Sequence, residues 1–276
     1  RGLWRGRAQV EHPAVAVLFS GQGAQFAGMG RALYESAPAF RAAWDLCAQA
    51  AGERLPEPLM HVLEQDDHAE ALLRDTRYAQ VALFALQYGL WELWRSWGLE
   101  VAAVAGHSVG EYAAACAAGV LDWEAGLELV LQRAARMHEL PAGFGMTAVL
   151  APVDEVTAAL AAQGDALCVA AINSPRNTVV AGPVEALEQL ETQLAAEQVA
   201  AQRLSVAGAY HSPQMESVAV ALAEAAARYE HRPASLPWAA NLSGQLWPVG
   251  QGPTAEYWAQ QAREPVQFTH AVRSLA

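Results

Sequence analysis

The pattern of apolar and polar positions predicts an alternation of buried strands and helices. Ala14–Ser20 and Val101–Ala105 are short apolar runs next to glycine-rich turns, which is typical of buried strands. Tyr78–Trp97 is apolar on nearly all sides, so we expect a long buried helix that Gly98 terminates. Arg31–Gly52 is expected to be helical as well. These elements predict a mixed α/β fold.

The region from 144 to 206 has a different pattern. Its segments follow the order strand, helix, strand, strand, helix, strand, which is that of a ferredoxin-like unit. We therefore predict a linker remnant at 1–13, a main body of 14–143 and 207–276, and an inserted subdomain at 144–206. The predicted strands of the subdomain are Met146–Ala151, Leu167–Asn173, Asn177–Ala181 and Val199–Val206.

Composition narrows the function classes. The 276 residues are 53% hydrophobic and 17% charged, which is enough to bury a sizeable core. The net charge of −12 disfavours nucleic acid as a partner, because phosphate binding needs a basic surface. The three cysteines include no C-x-x-C pair, so we expect a reducing, cytoplasmic setting with neither a disulfide framework nor a metal site. We also expect no signal peptide and no membrane span.

The clearest chemical motif follows the predicted strand Val101–Ala105. Gly106-His107-Ser108-Val109-Gly110 is a G-x-S-x-G segment, and the residues from Glu111 onward have the composition of a helix. On such a strand-to-helix elbow the glycines allow close backbone packing, so the Ser108 hydroxyl is exposed at the helix N-terminus. The unpaired N–H groups there favour a developing oxyanion. We interpret Ser108 as a nucleophile.

A serine nucleophile needs a base, and the chain has eight histidines. His211 lies in a loop between the predicted subdomain and the main body, where a cleft is expected, so it is the candidate base. His107 precedes Ser108, and neighbouring side chains on an extended strand face opposite sides. We therefore expect the His107 side chain to face inward and to have a structural role. No acidic residue lies in an obvious position to orient His211, so a backbone carbonyl is the alternative, which leaves a dyad.

Arg133 is the candidate binding residue for an anionic group. It lies among apolar residues on the predicted helix after the elbow, so its guanidinium is expected to be partly enclosed. An enclosed guanidinium needs a carboxylate or phosphate partner. The partner is either a substrate carboxylate or one of the 29 acidic residues of the chain, and the sequence leaves both open.

Seven motifs occur in an order that resembles one family, the acyltransferase domains of modular polyketide synthases and the related malonyl-CoA:acyl-carrier-protein transacylases. The resemblance extends from about Ala14 to the C-terminus. It implies an α/β-hydrolase-like core with an inserted ferredoxin-like subdomain. The motifs are FSGQGAQFAGMG (Phe19–Gly30), TRYAQVALFALQ (Thr76–Gln87), GHSVGEY (Gly106–Tyr112), the helix with Arg133, AAINSPRNTVVAG (Ala170–Gly182), GAYHSP (Gly208–Pro213) and YWAQQAREPVQF (Tyr257–Phe268).

The resemblance also implies roles for individual residues. Ser108 corresponds to the nucleophile and His211 to its base and acid, and a backbone carbonyl, which we assign to Gln261, orients the histidine. The other implied positions are Gln22 and the N–H of Val109 for the oxyanion hole, Gln80 in the active site, Arg133 for the malonyl carboxylate, and His107, Gly208 and Tyr210 as substrate-binding positions.

The extender unit is predicted from Gly208-Ala209-Tyr210-His211, which matches neither the His-Ala-Phe-His of malonyl-type relatives nor the Tyr-Ala-Ser-His of methylmalonyl-type ones. A bulky Tyr210 would crowd an α-methyl branch and favours malonyl, as does Val109. Gly208 is expected to leave free space that could admit another unit. Methylmalonyl or another extender, an acyl hydrolase and a catalytically idle docking domain are the alternatives.

The resemblance further implies the reaction partners. These are malonyl-CoA, the phosphopantetheine thiol of an acyl carrier protein, and a covalently linked ketosynthase in a larger synthase that serves antibiotic biosynthesis. No cofactor bound by the domain itself is expected. The C-terminus is predicted to be truncated, because the segment that usually closes the domain does not follow Ala276.

Overall fold

A computed structural model of the chain describes residues 14–161, 164–248 and 250–276. The predicted linker remnant at 1–13 lies outside the described residues. Two separate sheets, one of three strands and one of four, organise the described part of the chain. The predicted α/β fold is confirmed.

The smaller sheet is parallel and lies in the main body. β1 (Ala16–Phe19) pairs with β2 (Ala103–Gly106), and β2 pairs with the short β7 (Trp238–Ala239). All four residues of β2 are buried, as expected for the central strand of a parallel sheet. The helices around this sheet are α1 (Arg31–Ser36), α2 (Pro38–Ala51), α3 (Asp67–Arg74), α4 (Thr76–Ser96), α5 (Gly110–Ala117), α6 (Trp123–His138), α9 (Glu216–Ala226), α10 (Ala255–Arg263) and α11 (Phe268–Ser274).

The larger sheet is antiparallel, with the strand order β4-β5-β3-β6. This is the strand order of a ferredoxin-like unit. All four strands lie within 144–203. The exact boundaries of the subdomain, 144 and 206, stay a prediction. Its elements are β3 (Phe144–Val149), α7 (Val153–Ala161), β4 (Cys168–Ser174), β5 (Asn177–Pro183), α8 (Val184–Ala196) and β6 (Ala201–Arg203).

Two predicted elements differ from the structure. The helical segment Arg31–Gly52 divides into α1 and α2, because Ala37 is extended and Pro38 starts the second helix at its first position. The predicted strand Val199–Val206 is reduced to Ala201–Arg203, since the chain turns immediately afterwards and the Val206 N–H donates to the Leu204 carbonyl. Neither difference moves a candidate site residue.

The hydrophobic core has a large part in the main body and a smaller part where the larger sheet packs against the main body. The smaller part joins side chains of β3, β4 and β5 to Tyr210, Met215 and Met137. The loop that carries His211 runs along this junction, so the elbow after β2 and that loop face each other. None of the helices in the described residues combines the length and the apolar character that a membrane span requires.

Candidate active site

The elbow at Ser108 requires glycine on both sides. Ser108 itself has a positive φ of 52°, which turns the chain sharply from β2 into α5. A Cβ on Gly106 would lie 2.3 Å from the Gly110 carbonyl carbon, and a Cβ on Gly110 would lie 2.4 Å from the Phe19 carbonyl oxygen. Both contacts are with backbone atoms that have no room to move. The G-x-S-x-G spacing is therefore a steric requirement of this turn.

Two side chains from the C-terminal part of the chain hold the Ser108 backbone. The Asn241 side-chain oxygen accepts from the Ser108 N–H at 2.8 Å, and Gln261 Nε2 donates to the Ser108 carbonyl at 2.9 Å. The Asn241 side chain also donates to the Gly106 carbonyl. Both side chains are 1% exposed, so this bracing of the elbow is shielded from water. Sequence reasoning did not find Asn241, which lies outside the seven motifs.

Glu111, on the first turn of α5, supports Asn241 in turn. Its Oε1 accepts from the Asn241 N–H at 2.8 Å and from the Tyr257 hydroxyl. The carboxyl group is fully buried, and this desolvation raises its pKa to about 8. Glu111 is therefore predominantly protonated at neutral pH, and it acts as a neutral hydrogen-bonding group beneath the elbow.

Substitutions at Glu111 test this neutral state. We expect Glu111→Gln to change the free energy of unfolding by less than about 1 kcal/mol, because the amide keeps the accepting oxygen. Glu111→Ala should lower it by about 3 kcal/mol, since the Asn241 N–H and the Tyr257 hydroxyl lose their acceptor in the core. Chemical denaturation at pH 7 measures both values, and equal losses in the two variants would contradict the prediction.

The elbow and the His211 loop bring the two predicted reactive side chains together. Ser108 Oγ lies 2.7 Å from His211 Nε2. On its other side, His211 Nδ1 lies 3.1 Å from the Glu264 carbonyl oxygen. A carbonyl only accepts, so Nδ1 carries the proton and Nε2 is left with the lone pair that the serine O–H needs.

The identity of the orienting carbonyl corrects the expectation for Gln261. The hydrogen bond from His211 goes to Glu264, although the Gln261 carbonyl lies near enough to influence the imidazole. Gln261 uses its side chain to hold the Ser108 carbonyl instead. Both residues lie at the end of α10, where carbonyls lack partners in the helix, so the motif identified the right segment but the wrong residue.

His211 is buried and strongly favours the neutral form. Desolvation, followed by the positive charge of Arg133 and the neighbouring His107, lowers its pKa to about 3, while the Glu264 and Gln261 carbonyls act in the opposite direction. An imidazole with this pKa is neutral throughout the neutral range, so Nε2 keeps its lone pair, although the low pKa also makes the imidazole a weaker base. The geometry and the charge state together suit it to abstract a proton from Ser108.

Arg133, on α6, is 1% exposed and lies directly beside the serine. Its Nη2 donates to Ser108 Oγ at 2.9 Å, and its Nη1 donates to the Gln80 side-chain oxygen. Among the described residues Arg133 forms no ion pair, which removes the alternative of an internal salt bridge there. Burial without a counter-ion lowers the pKa of its guanidinium. The site thus contains a buried cation without a protein carboxylate.

A chain of hydrogen bonds connects Arg133 to the predicted oxyanion glutamine. Gln80 Nε2 donates to Thr76 Oγ1 at 2.9 Å, and Thr76 Oγ1 donates to Gln22 Oε1 at 3.1 Å. Gln22 lies on the turn after β1 and lines the same cavity as Ser108. The N–H of Val109, the residue before α5, has no acceptor among the described residues. An N–H and a side-chain amide thus lie near Ser108, as an oxyanion hole would require.

The remaining predicted positions surround a cavity of about 140 Å³ next to Ser108. Tyr210 lines it, and His107 lines it as well, half-buried, with Nε2 2.8 Å from the Asn173 side-chain oxygen. Burial lowers the pKa of the His107 imidazole, so the ring faces inward as expected and lines the cavity at the same time. A wider cleft of about 820 Å³ shares Gln22 and Tyr210 with this cavity.

Gly208 corrects a second expectation. A Cβ at this buried position would lie 2.8 Å from Tyr210 Cε1, so the tyrosine ring already occupies the space next to the glycine. Gly208 does not line the cavity. The space that its missing side chain leaves is therefore filled by Tyr210 and is not available to a substrate. Gly208 acts on the cavity only through the position of that ring.

Comparisons with known proteins agree on one family. A sequence profile of the family described as "Acyl transferase domain" matches residues 17–276. The chain is 39% identical over 267 residues to a PKS-NRPS hybrid synthetase of Aspergillus niger, covering 95% of this chain and 14% of that protein. It therefore spans about one seventh of the length of that relative.

Two solved structures are also similar to this chain. The acyltransferase domain from the second module of the salinomycin polyketide synthase superposes with a TM-score of 0.87, at 38% identity, covering 96% of this chain and 61% of that one. The malonyl-CoA:acyl carrier protein transacylase FabD of Xanthomonas oryzae gives 0.85 at 32% identity, covering 94% and 83%. These neighbours have the same mixed α/β fold.

Proposed function

This chain belongs to the acyl transferase domain family found in polyketide synthases, and from that premise we propose that it transfers a malonyl group from coenzyme A to an acyl carrier protein through an ester on Ser108. One observation carries the proposal. Ser108 Oγ lies between a neutral imidazole at 2.7 Å and a buried guanidinium at 2.9 Å that has no carboxylate partner among the described residues. This arrangement suits a nucleophile that attacks a carboxylated acyl group.

In the first half-reaction, His211 Nε2 takes the proton from Ser108 Oγ as the oxygen attacks the thioester carbonyl. The carbon–oxygen bond forms, and the oxyanion receives hydrogen bonds from Gln22 and the Val109 N–H. The carbon–sulfur bond then breaks, and the proton on Nε2 passes to the leaving thiolate of coenzyme A. The products are free coenzyme A and a malonyl ester of Ser108.

The second half-reaction repeats these steps with a different thiol. We propose that the phosphopantetheine thiol of a carrier protein enters the cleft after coenzyme A leaves, and that His211 deprotonates it. The thiolate attacks the ester carbonyl, the new carbon–sulfur bond forms as the carbon–oxygen bond to Ser108 breaks, and His211 Nε2 returns its proton to Ser108 Oγ. The carrier protein and a linked ketosynthase belong to a larger cytoplasmic synthase, with a role in antibiotic biosynthesis. The domain binds no cofactor of its own in this scheme.

Malonyl is the proposed extender because of two neighbouring side chains. Arg133 offers Nη atoms to a terminal carboxylate, and the bulky Tyr210 ring, which lies against Gly208, lines the same cavity and is expected to crowd an α-methyl branch. Methylmalonyl and larger extenders are therefore expected to react more slowly.

Intact-protein mass spectrometry tests the function directly. The protein is incubated briefly with equal amounts of malonyl-, methylmalonyl- and acetyl-CoA, with Ser108→Ala as the matched control. We expect a malonyl-sized adduct that the variant does not form. A methylmalonyl adduct would overturn the extender choice, and free malonate accumulating in place of an adduct would indicate an acyl hydrolase. The absence of both an adduct and turnover would support an idle docking domain.

The low pKa of His211 predicts an unusual pH profile. The reactive form carries a neutral imidazole, and a pKa of about 3 keeps it neutral well below the ordinary value of 6.5. Lowering the pH from about 7 to about 5 should therefore leave the single-turnover rate of Ser108 acylation unchanged. Rapid quenching followed by mass spectrometry measures this rate. A fall in rate with a midpoint near the ordinary imidazole pKa would contradict the prediction.

A further inference from the structure

A second group of polar side chains lies on the outer side of the main body, in the connection between α2 and α3. Glu57 precedes a short 3-10 helix (Leu59–Leu63), His61 lies within that helix, and His68 lies on the first turn of α3. We call these three residues the Glu57 cluster. Nothing in the proposed acyl transfer uses them.

The three side chains converge on one point. Glu57 Oε2 lies 3.1 Å from His61 Nδ1 and 2.8 Å from His68 Nε2. The two imidazole rings are 5.8 Å apart between centroids, and the three candidate ligand atoms all lie within 4.8 Å of one another. Three side chains from one stretch of twelve residues thus direct one nitrogen or oxygen each to the same small volume.

The donor set indicates a class of ion. Two imidazole nitrogens and one carboxylate oxygen suit Zn²⁺ and similar transition metals, whereas Mg²⁺ and Ca²⁺ prefer oxygen ligands alone. Tetrahedral Zn²⁺ with bonds of about 2.1 Å separates its ligand atoms by about 3.4 Å. The separations of 2.8 and 3.1 Å from the carboxylate oxygen are hydrogen-bond lengths and are shorter than that value, so the ligand atoms would move apart by about 0.3–0.6 Å to hold an ion.

We propose that the Glu57 cluster is a Zn²⁺ site, with Glu57, His61 and His68 as its ligands. Each side chain is about half exposed, so a water molecule can complete the fourth position. The sequence predicts no metal site, because its three cysteines form no ligand motif. The separations of four and seven residues between these ligands match no zinc motif, and only the fold brings them together.

The ion would stabilise the structure around α4. The Tyr78 hydroxyl, on α4, donates to the Glu57 carbonyl at 3.0 Å, and the Glu57 N–H donates to the same hydroxyl oxygen. An ion bound by the Glu57 cluster would thus link Glu57, the 3-10 helix and α3 to one another beside α4. The Glu57 cluster does not line the cavity of Ser108. We therefore expect the ion to affect the stability of the fold and not the acyl transfer, although α4 also carries Gln80.

Thermal unfolding of the intact chain tests the site. Protein dialysed against a chelator is melted with and without added ZnCl₂, at concentrations raised to saturation. We expect Zn²⁺ to raise the melting temperature by about 5 °C, because an ion that binds only the folded state stabilises it. Co²⁺ in place of Zn²⁺ should give the visible absorption of a four-coordinate site.

Variants assign the shift to the cluster. His68→Asn and Glu57→Gln should lose both the zinc-induced shift and the Co²⁺ absorption. His138→Asn is the matched control, because His138 is also half exposed and lies 3.2 Å from a carboxylate, that of Asp75, without a third ligand. This control should keep the full shift. No shift in the unsubstituted protein, or an equal shift in His68→Asn, would overturn the proposal.

The proposed Zn²⁺ site and the proposed function are tested by separate measurements, so the failure of one can be distinguished from the failure of the other. His68→Asn should still form the malonyl adduct on Ser108 at the rate of the unsubstituted protein, because His68 has no contact with the active site. The adduct is measured on the same samples as the melting temperature. A lost zinc shift with an intact adduct is the expected result, and a lost adduct would show that the cluster acts on the active site.

Discussion

Replacement of His211 by alanine is expected to slow malonylation of Ser108 by about 10²–10⁴-fold. His211 Nε2 is the neutral nitrogen at 2.7 Å from Ser108 Oγ, and it is held in place by the Glu264 carbonyl. The other group on the serine oxygen, Arg133, only donates. Nothing else that contacts the hydroxyl in the described residues accepts its proton. Single-turnover acylation, followed by mass spectrometry, gives the rate.

The His211→Ala protein needs a readout that a purely structural role would not change. Added imidazole should restore part of the acylation rate, because it fits the space of the missing side chain and supplies the same base. Ser108→Ala in the same medium should form no adduct at all. An unchanged rate in His211→Ala would contradict the role of base, and a loss of rate together with an altered far-UV spectrum would indicate misfolding.

The elbow shows which part of the site could be predicted from sequence. Gly106 and Gly110 are required because a Cβ at either position meets backbone within 2.6 Å, and this constraint is local to the turn. A five-residue motif therefore identified Ser108, the strand before it and the helix after it. The ferredoxin-like unit could be predicted for the same reason, since its order of elements is local and its apolar periods are regular.

Contacts between distant segments could not be predicted in the same way. The Asn241 side chain accepts from the Ser108 N–H across 133 residues, and the Glu264 carbonyl accepts a hydrogen bond from His211 Nδ1 across 53. Nothing in the local sequence distinguishes the Glu264 carbonyl from that of Gln261, because every residue has one. Gly208 was misinterpreted for a related reason. The space beside it depends on how the Tyr210 ring packs, and this is a property of the folded loop.

Replacement of Arg133 by alanine is expected to have the second large effect on the rate of acylation. We expect the rate of acylation by malonyl-CoA to fall by about 10²-fold, which corresponds to about 2.7 kcal/mol, as for loss of a charged hydrogen-bonding partner. Acetyl-CoA has no terminal carboxylate, so its rate should change by less than about threefold. Arg133→Lys keeps the charge but not the bidentate geometry of the guanidinium. Its rate with malonyl-CoA should therefore lie between the rates of the unsubstituted protein and of Arg133→Ala. Parallel single-turnover rates with both thioesters give the comparison.

The comparison of the two thioesters separates two roles that the geometry allows for Arg133. Its Nη2 donates to Ser108 Oγ at 2.9 Å, so the guanidinium could lower the pKa of the nucleophile itself. That effect would act on every acyl donor alike. A carboxylate partner would instead draw the guanidinium toward the substrate and act on malonyl-CoA alone. Equal losses with acetyl- and malonyl-CoA would therefore assign Arg133 to the serine and contradict its proposed role in binding the malonyl carboxylate, whereas a selective loss would assign it to the carboxylate.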